Sequence, residues 1–151
     1  MSAMDKSYFQ NIFDNAIGPI IHKVDHGIYL KLNNLLSEHD ITLQQTMVLT
    51  FLWLNKDKEF INQKSVEEHM EIKGPSVTSL IHKMVEKDLV KRSQDEKDGR
   101  NFKLKITEKG IELNHICFST FAQVNHSLIK NISEDEIQTL KHLLNKIAAN
   151  I

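Results

Sequence analysis

The chain has 151 residues, 40% of them apolar and 26% charged. That is the composition of a soluble globular protein with one real core and too little chain for two ordinary domains. No apolar run approaches the roughly 18 residues that would span a bilayer, residues 1–11 lack the basic start and apolar middle of a secretory signal, and the single cysteine, Cys117, excludes an internal disulfide framework, so a cytoplasmic protein is expected. The net charge of −1 argues at first against a polyanionic partner, but Lys73–Lys109 holds ten basic and six acidic residues, a net +4 on a body of net −5. A basic segment on an acidic body is the footprint of local phosphate contact, although a charged face is more often only a solvated one.

In chain order, a short helical turn is expected at Tyr8–Asn15, then a long helix over Pro19–Ser37. In the latter region Ile17, Ile21, Val24, Ile28, Leu32 and Leu35 recur at spacings of three and four. Thr42 can cap a helix over Leu43–Asn55 that is apolar nearly all round (Leu43, Met47, Val48, Leu49, Phe51, Leu52, Trp53, Leu54), which places it at the centre of the core. A polar loop, Asn55–Glu59, leads to a short strand at Phe60 and Ile61. Asn62 can cap a helix over Gln63–Met70, with Val66 and Met70 inward. After a tight connection, Glu71–Lys73, the run Gly74-Pro75-Ser76 opens a helix to Lys87, its proline pre-set for the first turn. Val77, Leu80, Ile81, Met84 and Val85 face inward there, and Ser76, Thr78, Ser79, His82 and Lys83 outward.

The period then changes. Leu89–Ser93 and the strictly alternating Phe102–Ile106 read as two strands joined across the turn signal Asp98-Gly99. Thr107 can cap a long helix over Glu108–Asn131 with Cys117, Phe121, Val124 and Leu128 on its stripe. Ser133 caps a last helix with Glu134, Asp135 and Glu136 in its first turn and an apolar stripe of Ile137, Leu140, Leu144 and Ile147. The fold class is therefore mainly α with a small β-hairpin wing, a winged helix-turn-helix from Asn62 to Thr107.

A major groove admits one α-helix, and a first helix braces the second, whose N-terminal half reaches base edges. The candidate DNA-contacting residues are Gln63, Lys73, Gly74, Pro75, Ser76, Thr78, Ser79, His82, Lys83, Lys91, Arg92, Lys97, Asp98 and Arg100. For Ser76 a capping role competes with DNA contact. Arg100 follows the turn at the hairpin tip, where an arginine can enter a minor groove and Asp98 can fix its direction; the plainer reading is an exposed charge pair. Lys91, Arg92 and Lys97 suit phosphate contact.

These residues resemble the multiple antibiotic resistance regulator (MarR) family. The resemblance rests on P-S-V-T-S-L-I-H-K-M, on L-V-K-R, and most on D-E-K-D-G-R-N-F-K-L-K-I-T-E-K-G, which ends in Thr107, two residues and Gly110. It implies a homodimer with interleaved terminal helices at 5–39 and 109–151, a DNA-binding lobe at 40–108, a recognition helix over Gly74–Lys87 in the major groove of a double-stranded operator, and Arg100 in the minor groove. The family wing usually reads Asp-x-Arg-Asp-x-Arg; here Lys97 replaces the first arginine and lacks its planar, bidentate geometry.

The resemblance also implies a small, often aromatic or anionic effector bound between the dimer helices and the DNA-binding lobe. His22, His26, Tyr29, Met47, Trp53 and Phe118 are candidates to line that pocket, with core packing the plainer reading for Met47 and Phe118. His22 and His26, four apart beside Asp25, have metal-ligand spacing but no identifiable third ligand. Cys117 lies on an apolar stripe, where thiols are usually inert. No phosphate loop, nucleophile elbow or paired zinc motif suggests an enzyme or a cofactor. The alternative to a regulator is a winged-helix protein-interaction module without DNA binding.

Overall fold

The computed structural model describes residues 6–58, 61–72, 74–94 and 102–151. Seven helices and one hairpin follow in order: α1 (Lys6–Asn15), α2 (Gly18–Ser37), α3 (Leu43–Leu54), α4 (Gln63–Met70), α5 (Gly74–Glu86), β1 (Val90–Gln94), β2 (Phe102–Ile106), α6 (Glu108–Leu128) and α7 (Glu134–Ala148). The expected Phe60 strand position, Lys73 and the wing tip with Lys97, Asp98 and Arg100 lie outside the described residues. Ile61 is not in a strand, but its carbonyl accepts from the Leu104 amide at 2.8 Å, and Asn62 bridges Lys103, so the segment still lies along β2.

Local chemistry sets most boundaries. Thr42 and Gln45 form a reciprocal capping box at the start of α3, and the Asn33 carboxamide of α2 accepts from the Leu43 amide at 2.9 Å, which ties one helix start to another helix. Asn62, Thr107 and Ser133 cap α4, α6 and α7. At α7, hydrogen bonds from the Ser133 amide and hydroxyl hold the Glu136 carboxyl below its ordinary range. Two helix ends use aspartate where glycine is usual. Asp40 (φ 52°) and Asp88 (φ 57°) are left-handed, and beyond them the amides of Ile41 and Leu89 return to the carbonyls of Leu36 and Met84 at 3.4 and 2.9 Å. Each return brings two buried apolar residues together (Leu36 with Ile41, Met84 with Leu89). Asn131 (φ 66°) follows α6, which stops at Leu128 rather than Asn131.

The core sits in the central lobe. From α3 it takes Val48, Leu49 and Leu52, from α4 Val66, and from α5 Val77, Leu80, Ile81 and Met84, the inward set read from the spacing; Val85 is only partly buried. Leu32 and Leu36 of α2 and Cys117 and Val124 of α6 close it. Between α3 and α6 runs a buried polar seam, in which the Thr50 hydroxyl donates to Asn114 Oδ1 at 2.9 Å while Asn114 Nδ2 has no partner among the described residues. The picture of α3 as apolar and buried all round needs correction. Gln45 and Thr46 are buried, whereas Met47 is 41% and Leu54 67% exposed. The terminal helices differ more: α1 and α7 contribute no buried residue, so Leu140 and Leu144 of the predicted α7 stripe are exposed, as are Ile17, Ile21 and Val24 at the α2 end and Leu128 on α6.

The Thr-x-x-Gly step that opens α6 joins three elements. Thr107 Oγ1 accepts from the Gly110 amide at 3.0 Å and donates to the Asp88 carbonyl at 2.7 Å, and the Thr107 amide donates to the Leu89 carbonyl at 3.1 Å. Gly110 has an ordinary φ; its role is close approach, since a Cβ there would collide with the Leu89 carbonyl oxygen and with Ile106 Cγ1 at 2.9 Å. We expect Gly110→Ala to cost about 2 kcal/mol or more by forced displacement of backbone, and Thr107→Val about 1 kcal/mol through loss of the cap. Urea unfolding followed by circular dichroism measures both; a Gly110→Ala protein as stable as the parent would show that the close approach relaxes freely.

Candidate nucleic-acid interface

The two helices of the helix-turn-helix are held by side chains as well as by Val66 and Val77. Gln63, the first residue of α4, donates from Nε2 to Glu67 Oε1 at 3.0 Å and to Thr78 Oγ1 at 2.7 Å; Thr78 in turn donates to the Gly74 carbonyl at 3.0 Å. Gln63 and Thr78, both candidates for DNA contact, are therefore bonded to each other. The α4–α5 turn is made by Glu71 in the left-handed region (φ 53°). Pro75, Ser76, Ser79, His82 and Lys83 are exposed on α5, and Gly74 is partly so. His82 Nε2 lies 3.5 Å from Glu86 Oε1, an ion pair whenever the imidazole is protonated. Ser76, Ser79 and Lys83 also line an open cleft of about 500 Å³ with Gln44, a residue the sequence pattern does not single out.

The hairpin register separates residues that the sequence pattern groups. Lys91 pairs with Lys105, Ser93 with Lys103 and Arg92 with Leu104. Side chains alternate along a strand, so Lys91, Lys103 and Lys105 share one face and Arg92 lies on the other, its guanidinium 3.9 Å from the Phe102 ring centroid. Lys91 directly opposite Lys105 is an unfavourable like-charge pair, consistent with a hairpin that meets an anion. In the sequence Lys103 and Lys105 read only as the polar half of an alternating strand. That alternation already puts both on one face, but the addition of Lys91 needs the register.

The expected effector-lining residues fall into two groups. His22 and His26 stack on the exposed side of α2 with centroids 6.0 Å apart, and Tyr29 is 46% exposed. Trp53 packs edge-on against His115 and Phe118 at 5.9 and 6.0 Å, across α3 and α6. Among the described residues no ring contact links the groups, and no three His, Cys, Asp or Glu side chains converge as metal ligands. Core packing, the plainer reading for Met47 and Phe118, does not hold in the single chain, where they are 41% and 42% exposed.

Cys117 is fully buried, with Thr46 Oγ1 3.5 Å from its sulfur. Burial raises the thiol above its usual range, against a smaller opposing effect of the Thr46 hydrogen bond. The nucleophilic thiolate is correspondingly disfavoured. Cys117 should resist iodoacetamide in the native protein near neutral pH and react readily in denaturant. Mass spectrometry reads the adduct, and rapid native labelling would contradict the burial.

Comparison with known proteins agrees with this geometry. The family described as transcriptional regulator SarA/Rot matches residues 31–116. Among curated proteins, the HTH-type transcriptional regulator MgrA of Staphylococcus aureus is 28% identical over 115 residues, 76% of this chain and 75% of the relative. SarZ of Staphylococcus haemolyticus, another HTH-type transcriptional regulator, is 26% identical over 134 residues, covering 86% and 88%. Among solved structures, the S. aureus MepR–DNA complex shares the fold with a TM-score of 0.80 at 23% identity, over 99% of this chain and 100% of that one. A MarR mutant from E. coli complexed with operator DNA gives 0.78 at 27% identity, over 90% and 96%. The winged helix is thus that of MepR and MarR, and the chain belongs to the SarA/Rot family of transcriptional regulators.

Proposed function

We propose that this protein is a homodimeric, sequence-specific DNA-binding regulator, a ligand-responsive repressor acting on a pseudo-palindromic operator. The observation that carries DNA binding is the conjunction of an α5 surface bearing Ser76, Ser79, His82 and Lys83, all exposed, with a hairpin whose solvent face opposes Lys91 to Lys105. The first suits base edges and phosphates in a major groove; the second costs energy until an anion offsets it. The MepR and MarR complexes with DNA lend the fold a precedent. In this reading Gln63 and Thr78 brace the recognition helix, Lys73, Gly74 and Pro75 form its entry, Lys91, Arg92 and Lys97 hold phosphates, and Asp98 orients Arg100 into the minor groove. A lobe over 40–108 reads DNA.

The flanking segments, 5–39 and 109–151, dimerise. Support comes from exposed apolar side chains on α1 (Tyr8 57%, Phe13 68%) and α7 (Leu140 49%, Leu143 49%), far more than a lone soluble chain usually leaves in contiguous helices. An open groove lined by Pro19, Ile20, Val24, Gly27, Ile28 and Leu128 continues the same surface. A small aromatic or anionic effector acting near His22, His26, Tyr29 or Trp53 would change the spacing of the two lobes. Among the described residues no helix is long and apolar enough to cross a membrane.

Two measurements test this reading. On a sequence selected from a random duplex pool, affinity should fall steeply with salt, and Lys91→Ala with Lys105→Ala should lower the logarithmic salt slope by about 2, one for each phosphate that the variant no longer neutralises. Salt-insensitive binding, or no selected sequence together with a co-purifying protein partner, would favour an interaction module instead. Light scattering at micromolar concentration should give a dimer, and Leu140→Glu with Leu144→Glu should yield folded monomer. A monomeric parent protein would remove the dimer.

A further inference from the structure

Where α4 meets α5, the side chains of Glu67, Gln63 and Thr78 form one hydrogen-bonded unit, and the unit has a single polarity. As a carboxylate, Glu67 can only accept, and it accepts from Gln63 Nε2 at 3.0 Å. The Gln63 atom that faces it is therefore the amino group, whichever way the carboxamide could otherwise turn. The same Nε2 donates to Thr78 Oγ1 at 2.7 Å, which spends its second proton. Thr78 gives its own proton to the Gly74 carbonyl at 3.0 Å. What the unit has left for a further contact is Gln63 Oε1, the lone pairs of Thr78 Oγ1 and the Glu67 carboxylate, all of which only accept.

The unit lies in the surface that would face DNA. Gln63 opens α4, and Thr78 stands on the shoulder of α5 that is bonded to it, four residues before the exposed His82 and so on the same side of the helix. Thr78 is exposed, Gln63 and Glu67 partly so, and the bonds of Thr78 to Gln63 and to Gly74 are themselves exposed. Glu67 sits against the first residue of α5, since a Cβ on Gly74 would stand 3.2 Å from its Oε1. In a major groove guanine presents N7 and O6, thymine O4 and a methyl, and adenine N7 beside its N6 amine; cytosine alone offers a donor with no acceptor beside it. Against an acceptor-only surface the other three bases leave lone pairs facing lone pairs, which costs affinity. We propose that this unit selects a cytosine in each half-site of the operator, Gln63 Oε1 accepting the N4 proton that base pairing leaves free. Glu67 and Thr78 are positioning residues, which hold the carboxamide so that it accepts rather than donates. An amide in place of the Glu67 carboxylate lets Gln63 turn over and present Nε2 to guanine O6. The proposal rests on the DNA-binding reading above and adds to it the base that is chosen.

Duplexes are selected from a random pool by the full chain, by Gln63→Ala and by Glu67→Gln. The second substitution is isosteric and the first removes a partly exposed side chain, so both variants should keep the parent's circular dichroism and thermal melt. The parent should select cytosine at one position of each half-site. Gln63→Ala should lose the preference at that position alone, and Glu67→Gln should admit guanine there while its affinity for unselected duplex is undiminished. A further arm needs no folded variant: each selected cytosine is replaced in turn by 2-pyrimidinone, which lacks only the N4 amine. One replacement per half-site should weaken the parent about tenfold and Gln63→Ala about twofold or less. An equal loss of affinity for every sequence in both variants, with the selected bases unchanged, would mean that the unit only braces α5 and would overturn the proposal. Selection of guanine, thymine or adenine at the position that Gln63→Ala alters would overturn it as well, as would parent affinity that no pyrimidinone replacement moves. A parent that selects no sequence at all would instead remove the DNA-binding reading, and this proposal with it.

Discussion

The arrangement depends on one junction, where the backbone of α6 passes against the end of α5. Thr107 reads two consecutive carbonyls of that turn, Asp88 with its hydroxyl and Leu89 with its amide, while capping its own helix through Gly110. The recognition helix ends, the wing begins and the long helix starts within one small volume. Lys109 adds a bond from Nζ to the Lys87 carbonyl at 2.8 Å, and Lys87 reaches back to the Asp40 carbonyl at 2.5 Å and to its carboxylate at 3.0 Å. The left-handed turns after α2 and α5 are therefore linked to each other and to α6. The Thr107 bonds are buried or partly buried, where a hydrogen bond is not easily exchanged for water, whereas the Lys87 and Lys109 bonds lie on the exposed side of the junction.

What is left outside the core is informative in two opposite ways. The hairpin concentrates positive charge on one face, and α5 presents small hydroxyl residues between its apolar positions, so a polar surface is preserved where phosphate and base edges would meet it. The terminal helices do the reverse, leaving aromatic and aliphatic side chains in water. Both are costs to the isolated chain: like charges directly opposite on a hairpin, and apolar area unburied at about 25 cal/mol per Å². A single-chain stability argument explains neither, whereas the dimer on DNA proposed above would relieve both.

Helix and strand limits were legible wherever a side chain makes the boundary. Thr42, Asn62, Thr107 and Ser133 all cap as their positions suggested, and α4 and β2 span the expected residues, because capping and alternation are local effects. The α5 inward set was equally legible from its spacing of three and four. The aspartate-based helix ends were not, since their left-handed backbone is held by returning amides and by burial of Leu89 and Ile41 rather than by a glycine. Nor was the exposure of Met47 and Leu54: on a helix apolar all round, composition carries no phase, so no inward direction is preferred.

The sequence by itself therefore determined the order of elements, their caps, the face of α5 that packs inward and the likeness to a regulator family, all of which follow from residues within a few positions of one another. Only the tertiary structure decided which candidate residues act together. Strand register joined Lys91 to Lys103 and Lys105 and sent Arg92 over Phe102; helix packing bonded Gln63 to Thr78 and drew Trp53 toward His115 and Phe118. Such pairings link residues from ten to more than sixty positions apart, and no local periodicity encodes which of the possible distant partners the packed core will select.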